Sequence, residues 1–173
     1  MNNASHNCYW ITGLSASGKT TISSMLVKHL KEKNLPVIHL DGDDLRNVFD
    51  DNGNTKDERL TRAKKFAKLC KLISNQEINV VIGIIGLFTE LHEWNRRNIK
   101  NYIEIFLDIP LSELERRDPK NIYKKAKQGK VSDVAGIDLK VEFPLNPDIL
   151  IKWKNKELPE ETFTKLLDKL ENI

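Results

Sequence analysis

Eight residues near the start of the chain, Gly13-Leu14-Ser15-Ala16-Ser17-Gly18-Lys19-Thr20, place two glycines, an amine and a hydroxyl at the fixed positions of G-x-x-x-x-G-K-[ST]. These residue types suit a polyphosphate. Its oxygens need many donors at once, and a tight glycine-rich turn aims successive backbone N–H groups inward. A helix that follows adds the positive end of its dipole. Lys19 is placed to reach the β- and γ-phosphates, and the Thr20 hydroxyl to hold Mg²⁺. Gly13 to Thr20, with Thr21, is therefore expected to bind ATP. The pattern specifies nucleotide binding and nothing finer.

A second chemical group follows at Asp41-Gly42-Asp43-Asp44. Asp41 and Asp43 are expected beside the transferring phosphate, orienting an acceptor hydroxyl or holding Mg²⁺. The competing reading is a polar turn that caps the next helix, with Asp44 as the cap. Other uses of the phosphate loop fit less well. No Asn-Lys-x-Asp guanine reader is present, and Asp50-Asp-Asn-Gly53 does not follow a strand. The apolar run Ile78–Ile85 ends in Gly86 rather than a metal-binding acid. A small-molecule kinase remains.

These residues need a frame in which strand ends meet. Short strands are expected at 8–12, 36–40, 78–85, 102–107 and 149–151, with helices at 20–33, 61–74, 90–98, 111–117, 122–127 and 160–170. Strands separated by helices make βαβ units, so the expected fold is α/β: a P-loop NTPase of nucleotide-kinase type. It should have a five-stranded parallel sheet, helices on both faces and a lid segment. Carboxyl ends of neighbouring parallel strands face one crevice, which brings the acids to the phosphate loop. The chain reads as a single domain over 1–173. Residues 118–146 include a basic, then apolar-poor stretch too long for an ordinary connection, and form the expected lid.

Composition excludes several classes. With 173 residues, 39% apolar and 31% charged, the chain can build one core. No run reaches the ~18 apolar residues of a membrane span. Cys8 and Cys70 are too few for a disulfide framework or a four-ligand zinc site. The opening residues lack an export signal, so a cytoplasmic location is expected and the Asn3-Ala-Ser5 glycosylation pattern is idle. A net charge of +3, from 28 basic and 25 acidic residues, does not argue for nucleic acid. The lysines at 120, 124, 125, 127 and 130 have only Tyr123 as an aromatic neighbour, which suits a lid over phosphates. His6, His29, His39 and His92 lack ligand spacing, and Trp10 and Trp153 read as packing residues. Arg96 and Arg97 face either the acceptor pocket or solvent.

The sequence also resembles a known family. Trp10-Ile-Thr-Gly-Leu-Ser-Ala-Ser-Gly-Lys-Thr-Thr21, Leu40-Asp-Gly-Asp-Asp-Leu-Arg46 and Arg117-Asp-Pro-Lys-Asn-Ile-Tyr-Lys-Lys-Ala-Lys127 are similar to segments of the adenylylsulfate (APS) kinase family, as are Gly136-Ile-Asp138 and Asn146-Pro-Asp148. The resemblance runs from about Trp10 to Leu150. It implies transfer of the ATP γ-phosphoryl group to a ribose 3′-hydroxyl of an acceptor nucleotide, with Mg²⁺. It makes Lys19, Asp41 and Asp43 catalytic, gives Thr20 and Asp41 to the metal, and sets Arg117 on the ATP side. The acceptor set it implies is Asp41, Asp43, Asp44, Arg46, Arg59, Arg62, Ile85, Gly86, Lys120, Asp133 and Val134. Relatives commonly dimerise, so a homodimer is expected.

The departures from the family pattern fall mostly around one ligand. The family's G-F-S reads Gly53-Asn54-Thr55, and the phenylalanine before its T-G-I-D is replaced in Val134-Ala135-Gly-Ile-Asp138. Those two rings sandwich the acceptor's adenine in the family. Stacking of a base on an aromatic contributes ~1–3 kcal/mol, so purine binding should weaken. D-R-x-x-N becomes Glu58-Arg-Leu-Thr-Arg62, and I-S-P-[YF] becomes Ile85-Gly-Leu-Phe88. The pattern resembles a branch of the family that phosphorylates cytidine diphosphoramidate during capsule modification. The alternatives are APS itself as acceptor, or a non-catalytic nucleotide-binding module.

Overall fold

The computed structural model describes residues 6–173. The Asn3-Ala-Ser5 pattern, and most of the opening segment, lie outside them. Five parallel strands form one sheet in the order β2-β3-β1-β4-β5: β1 (Cys8–Thr12), β2 (Val37–Asp41), β3 (Asn79–Ile84), β4 (Tyr102–Asp108) and β5 (Ile149–Lys152). The helices are α1 (Lys19–Glu32), α2 (Gly42–Val48), α3 (Lys56–Ser74), α4 (Thr89–Asn98), α5 (Leu111–Arg117), α6 (Ile122–Lys127) and α7 (Pro159–Leu170). Among the described residues no helix is long and apolar enough to cross a membrane.

Alternation along β1 divides the core. Cys8 and Trp10 face a cluster made with α3 and α4, including Phe66, Ala67, Cys70, Ile82 and Leu91. Tyr9 and Ile11 face the other side, with Ile22, Leu26 and Leu30 of α1 and Leu166 of α7. β3 is buried throughout, as its unbroken apolar run requires of a strand covered on both faces. A third cluster sits at the carboxyl end of the sheet. There Leu14, Leu87 and Phe106 receive Tyr123, Val134 and Ala135 from the 118–146 segment. The segment is thus seated over the strand ends by apolar contacts of its own.

Two elements differ from the sequence expectation. The acidic segment after β2 is no mere turn but the start of α2, and its N-cap is Asp41, whose Oδ1 accepts from the Asp43 N–H at 2.9 Å. Asp44 is not the cap. α3 begins at Lys56, five residues before the expected start, because Thr55 and Glu58 form a capping box. Its first turn is charged and exposed, so the apolar rhythm used to find the helix is silent there.

Candidate active site

One cleft of about 1210 Å³ lies over the carboxyl ends of the strands, between the phosphate loop, α2, α3 and the 118–146 segment. It brings together Ser15 to Thr21, Asp41, Asp43, Arg46, Arg59, Arg62, Ile85, Gly86, Arg117, Lys120 and Val134. Gly13 and Leu14 are buried behind the loop. Asp44 is exposed and does not line the cleft, because the α2 helix turns it outward. Asp133 contributes its backbone: its carbonyl accepts from Arg59 Nη2 at 2.8 Å.

Gly18 ends the phosphate loop at φ +93°, a left-handed conformation suited to glycine, and α1 starts at the next residue. Lys19 folds back over the loop, donating from Nζ to the Leu14 carbonyl at 2.7 Å. Burial lowers its pKa to about 8, against the opposing attraction of Asp41 and Asp43. An amine desolvated in this way gains a partner when phosphate arrives.

The Asp41 carboxylate is shared. One oxygen caps α2, and the other accepts the Thr20 hydroxyl at 2.8 Å. With its proton directed to Asp41, Thr20 Oγ1 keeps lone pairs free for a hard cation. Oxygen donors of this kind fit Mg²⁺, which relies on substrate phosphates and water for most of its ligands. No group of three or more His, Cys, Asp or Glu that could hold a metal occurs among the described residues. Asp43 spans the cleft to pair with Lys120 of the lid segment.

Three arginines, Arg46, Arg59 and Arg62, line one wall of the cleft. Burial, and then the charges of Arg62 and Arg46, push the Arg59 pKa down, against the attraction of Asp133 and Asp138. Arg62 differs from the expectation that it faces a ligand freely. Its side chain is 7% exposed, and Nη1 is committed to Asp51 Oδ1 at 2.6 Å and to the Gly53 carbonyl at 2.8 Å. It braces the loop that presents Asn54, because a guanidinium buried this deeply needs a paired anion. Asn54 and Val134 occupy the places where the family pattern has rings. The Asn54 carbonyl accepts from Arg59 Nε at 2.6 Å, and Val134 is 7% exposed in the lid's apolar cluster.

Sequence reasoning missed several contributors. Glu113 is buried and takes Arg116 and Arg117 through 2.7 Å bonds, which holds Arg117 near the Ala16 carbonyl. Those bonds to Arg116, with support from Arg117, depress its pKa to about 2. Its i+3 and i+4 spacing to the arginines was the available signal. Tyr123 is buried and donates to the Ser15 carbonyl at 2.9 Å, pinning the lid segment to the phosphate loop. Asp138 accepts the Asp133 and Val134 N–H groups at 3.0 and 2.6 Å. Trp153, Lys156 and Leu158, after β5, also line the cleft. Arg96 turns away from the cleft to Asp148 and Glu104, and Arg97 pairs with Glu93.

Comparison with known proteins gives a consistent set. The family model described as adenylylsulphate kinase matches residues 5–152. A cytidine diphosphoramidate kinase of Campylobacter jejuni is 35% identical over 161 residues, covering 93% of this chain and 94% of that protein. An adenylyl-sulfate kinase of Gloeothece citriformis is 34% identical over 165 residues, covering 95% and 93%. The Mycobacterium tuberculosis APS kinase, solved in complex with AMPPNP and APS, superposes with a TM-score of 0.87 at 30% identity, covering 96% and 98%.

Proposed function

The chain belongs to the adenylylsulphate kinase family and is an ATP-dependent kinase that phosphorylates a hydroxyl group; on that premise we propose that its acceptor is cytidine diphosphoramidate, phosphorylated on the ribose 3′-hydroxyl. The observation that carries this reading is the pair Asn54 and Val134, both lining the cleft where the family pattern has aromatic rings. An acceptor wall without those two rings loses stacking that a purine uses more than a pyrimidine does. The arginine cluster remains, and an anionic pyrophosphate-like tail relieves its mutual repulsion. The similarity to a cytidine diphosphoramidate kinase supports the same acceptor.

ATP occupies the loop from Gly13 to Thr21, its phosphates meeting Lys19 and the N-terminus of α1. Arg117, steered by Glu113, closes on the nucleotide side. Thr20, with Asp41 behind it, would hold Mg²⁺, which would supply charge neutralisation at the phosphates. Asp41 and Asp43 orient the acceptor hydroxyl, and Lys120 brings positive charge from the lid. Seating of the 118–146 segment excludes water that would otherwise take the phosphoryl group.

The second reading, APS as acceptor, is favoured by retention of Arg46 and Arg59 and by the close superposition on an APS kinase. Parallel measurement of kcat/KM with the two acceptors, by coupled detection of ADP, separates them. Cytidine diphosphoramidate is expected to win by tenfold or more, and a clear advantage for APS would overturn the proposal.

A further inference from the structure

A line of hydrogen-bonded polar groups runs inward from the partly exposed Arg96 and Asp148 to the buried Glu104 and His92, and ends on the turn that follows β3. Asp148 accepts Arg96 through both oxygens, at 3.0 and 3.2 Å, and also the Glu104 N–H at 2.8 Å. Arg96 Nη2 reaches Glu104 Oε2 at 3.2 Å, and the Tyr102 hydroxyl donates to Glu104 Oε1 at 3.1 Å. The same Oε1 lies 3.3 Å from His92 Nδ1, and His92 Nε2 lies 2.7 Å from the Gly86 carbonyl. A carbonyl can only accept, so Nε2 carries a proton. Glu104 and His92 are 2% and 7% exposed, too buried to serve as surface charges.

The adjacent carbonyl is restrained in the same way. Thr12, fully buried at the end of β1, donates its hydroxyl to the Ile85 carbonyl at 2.5 Å. Every described peptide bond is trans, so the N–H of each unit points opposite its carbonyl. Two consecutive carbonyls drawn back toward the core therefore leave the Gly86 and Leu87 N–H groups facing the other way. Both residues line the cleft, and neither N–H has an acceptor within the protein among the described residues. The turn requires glycine, since Gly86 sits at φ +37° with Ile84 and Trp10 packed where a Cβ would lie.

We propose that His92, fixed by Glu104, is a positioning residue that turns the Gly86 and Leu87 N–H groups into the cleft as paired donors to the acceptor nucleotide. The inference rests on the reading of this cleft as the acceptor side of a kinase, but not on which base the acceptor carries. Thr12 sets the first donor, and His92, together with the Phe88 N–H that the same Gly86 carbonyl accepts at 3.1 Å, sets the second. Two adjacent backbone donors make a small concavity suited to an anionic or carbonyl oxygen. They complement the arginine wall without adding charge.

The test is steady-state kinetics of His92→Leu, His92→Gln and Glu104→Gln with both APS and cytidine diphosphoramidate. With whichever acceptor turns over, His92→Leu should raise the acceptor KM fivefold or more and leave the ATP KM within twofold. His92→Gln, which keeps a donor toward Gly86, should recover most of the loss, and Glu104→Gln should fall between. An unchanged acceptor KM in His92→Leu, or an equal rise in both KM values, would overturn the proposal. Which acceptor is preferred tests only the function proposed above. Should His92→Leu fail to fold, amide exchange in the unaltered enzyme decides: acceptor binding should slow exchange at Gly86 and Leu87 at least tenfold, and no slowing refutes the assignment.

Discussion

Lys19 and Asp41 show how single residues carry two duties in this site. Burial leaves the Lys19 amine with a pKa of about 8 in the free protein. Below that pH it is charged and ready for phosphate; above it, a proton must be taken up before the ion pair can form. ATP affinity is therefore expected to fall by about tenfold per pH unit above 8, and Lys19→Met should flatten that dependence while reducing turnover by about 10³-fold. Calorimetric titration with a non-hydrolysable ATP analogue across pH 6.5–9.5 (a range set by ~1.5 units either side of the titration) checks the slope. Asp41 is both the cap of α2 and the partner of Thr20. Asp41→Ala should cost about 1 kcal/mol of stability together with 10²-fold or more in kcat, at roughly the scale of lost general-base or positioning function. Asp41→Asn keeps a capping oxygen, so its stability should stay near that of the parent while turnover still collapses. A variant at Asp41 with undiminished kcat would remove the residue from the chemistry.

At the scale of elements, the loop between α2 and α3 is the part most dependent on paired groups. Arg62, from α3, reaches back to Asp51 and Gly53, and the Thr55–Glu58 box fixes where α3 begins. Arg62→Leu strands the Asp51 carboxylate, and a loss of about 3 kcal/mol is expected from breaking a pair buried on one side. Thr55→Ala removes one capping bond and should cost about 1 kcal/mol. Urea unfolding distinguishes the two by midpoint at a common slope. The same element shows where sequence patterns run out. The apolar spacing of Ala63, Phe66, Ala67 and Cys70 announced the helix, whereas its charged first turn was visible only through the T-x-x-E signature. Arg62 looked like a free cation in the sequence, because nothing local identified Asp51, eleven residues earlier, as its partner.

For the whole molecule, the lid segment is tied to the sheet end by apolar packing and by ion pairs whose response to acid can be followed. Glu113 anchors Arg116 and Arg117 beneath it, and its pKa in the folded chain is depressed to about 2. A depressed carboxyl contributes stability at pH values above its ordinary range and loses that contribution as pH falls toward 2. Thermal midpoints should therefore decline between about pH 4.5 and 2, and Glu113→Gln should weaken that decline. The sequence by itself determined the parallel α/β frame, the phosphate loop and the crevice, since periodicity, glycine placement and a short motif are local properties. It also marked residues 54 and 134, which line the cleft, as departures from the family pattern. Only the tertiary structure decided which charges are free and which are spent: Arg62 on Asp51, Arg96 on Asp148 and Glu104, Asp41 between a helix end and Thr20. Ion pairs and buried hydrogen bonds join residues far apart in the chain, and their partners follow from how the helices pack on the sheet rather than from any spacing along it.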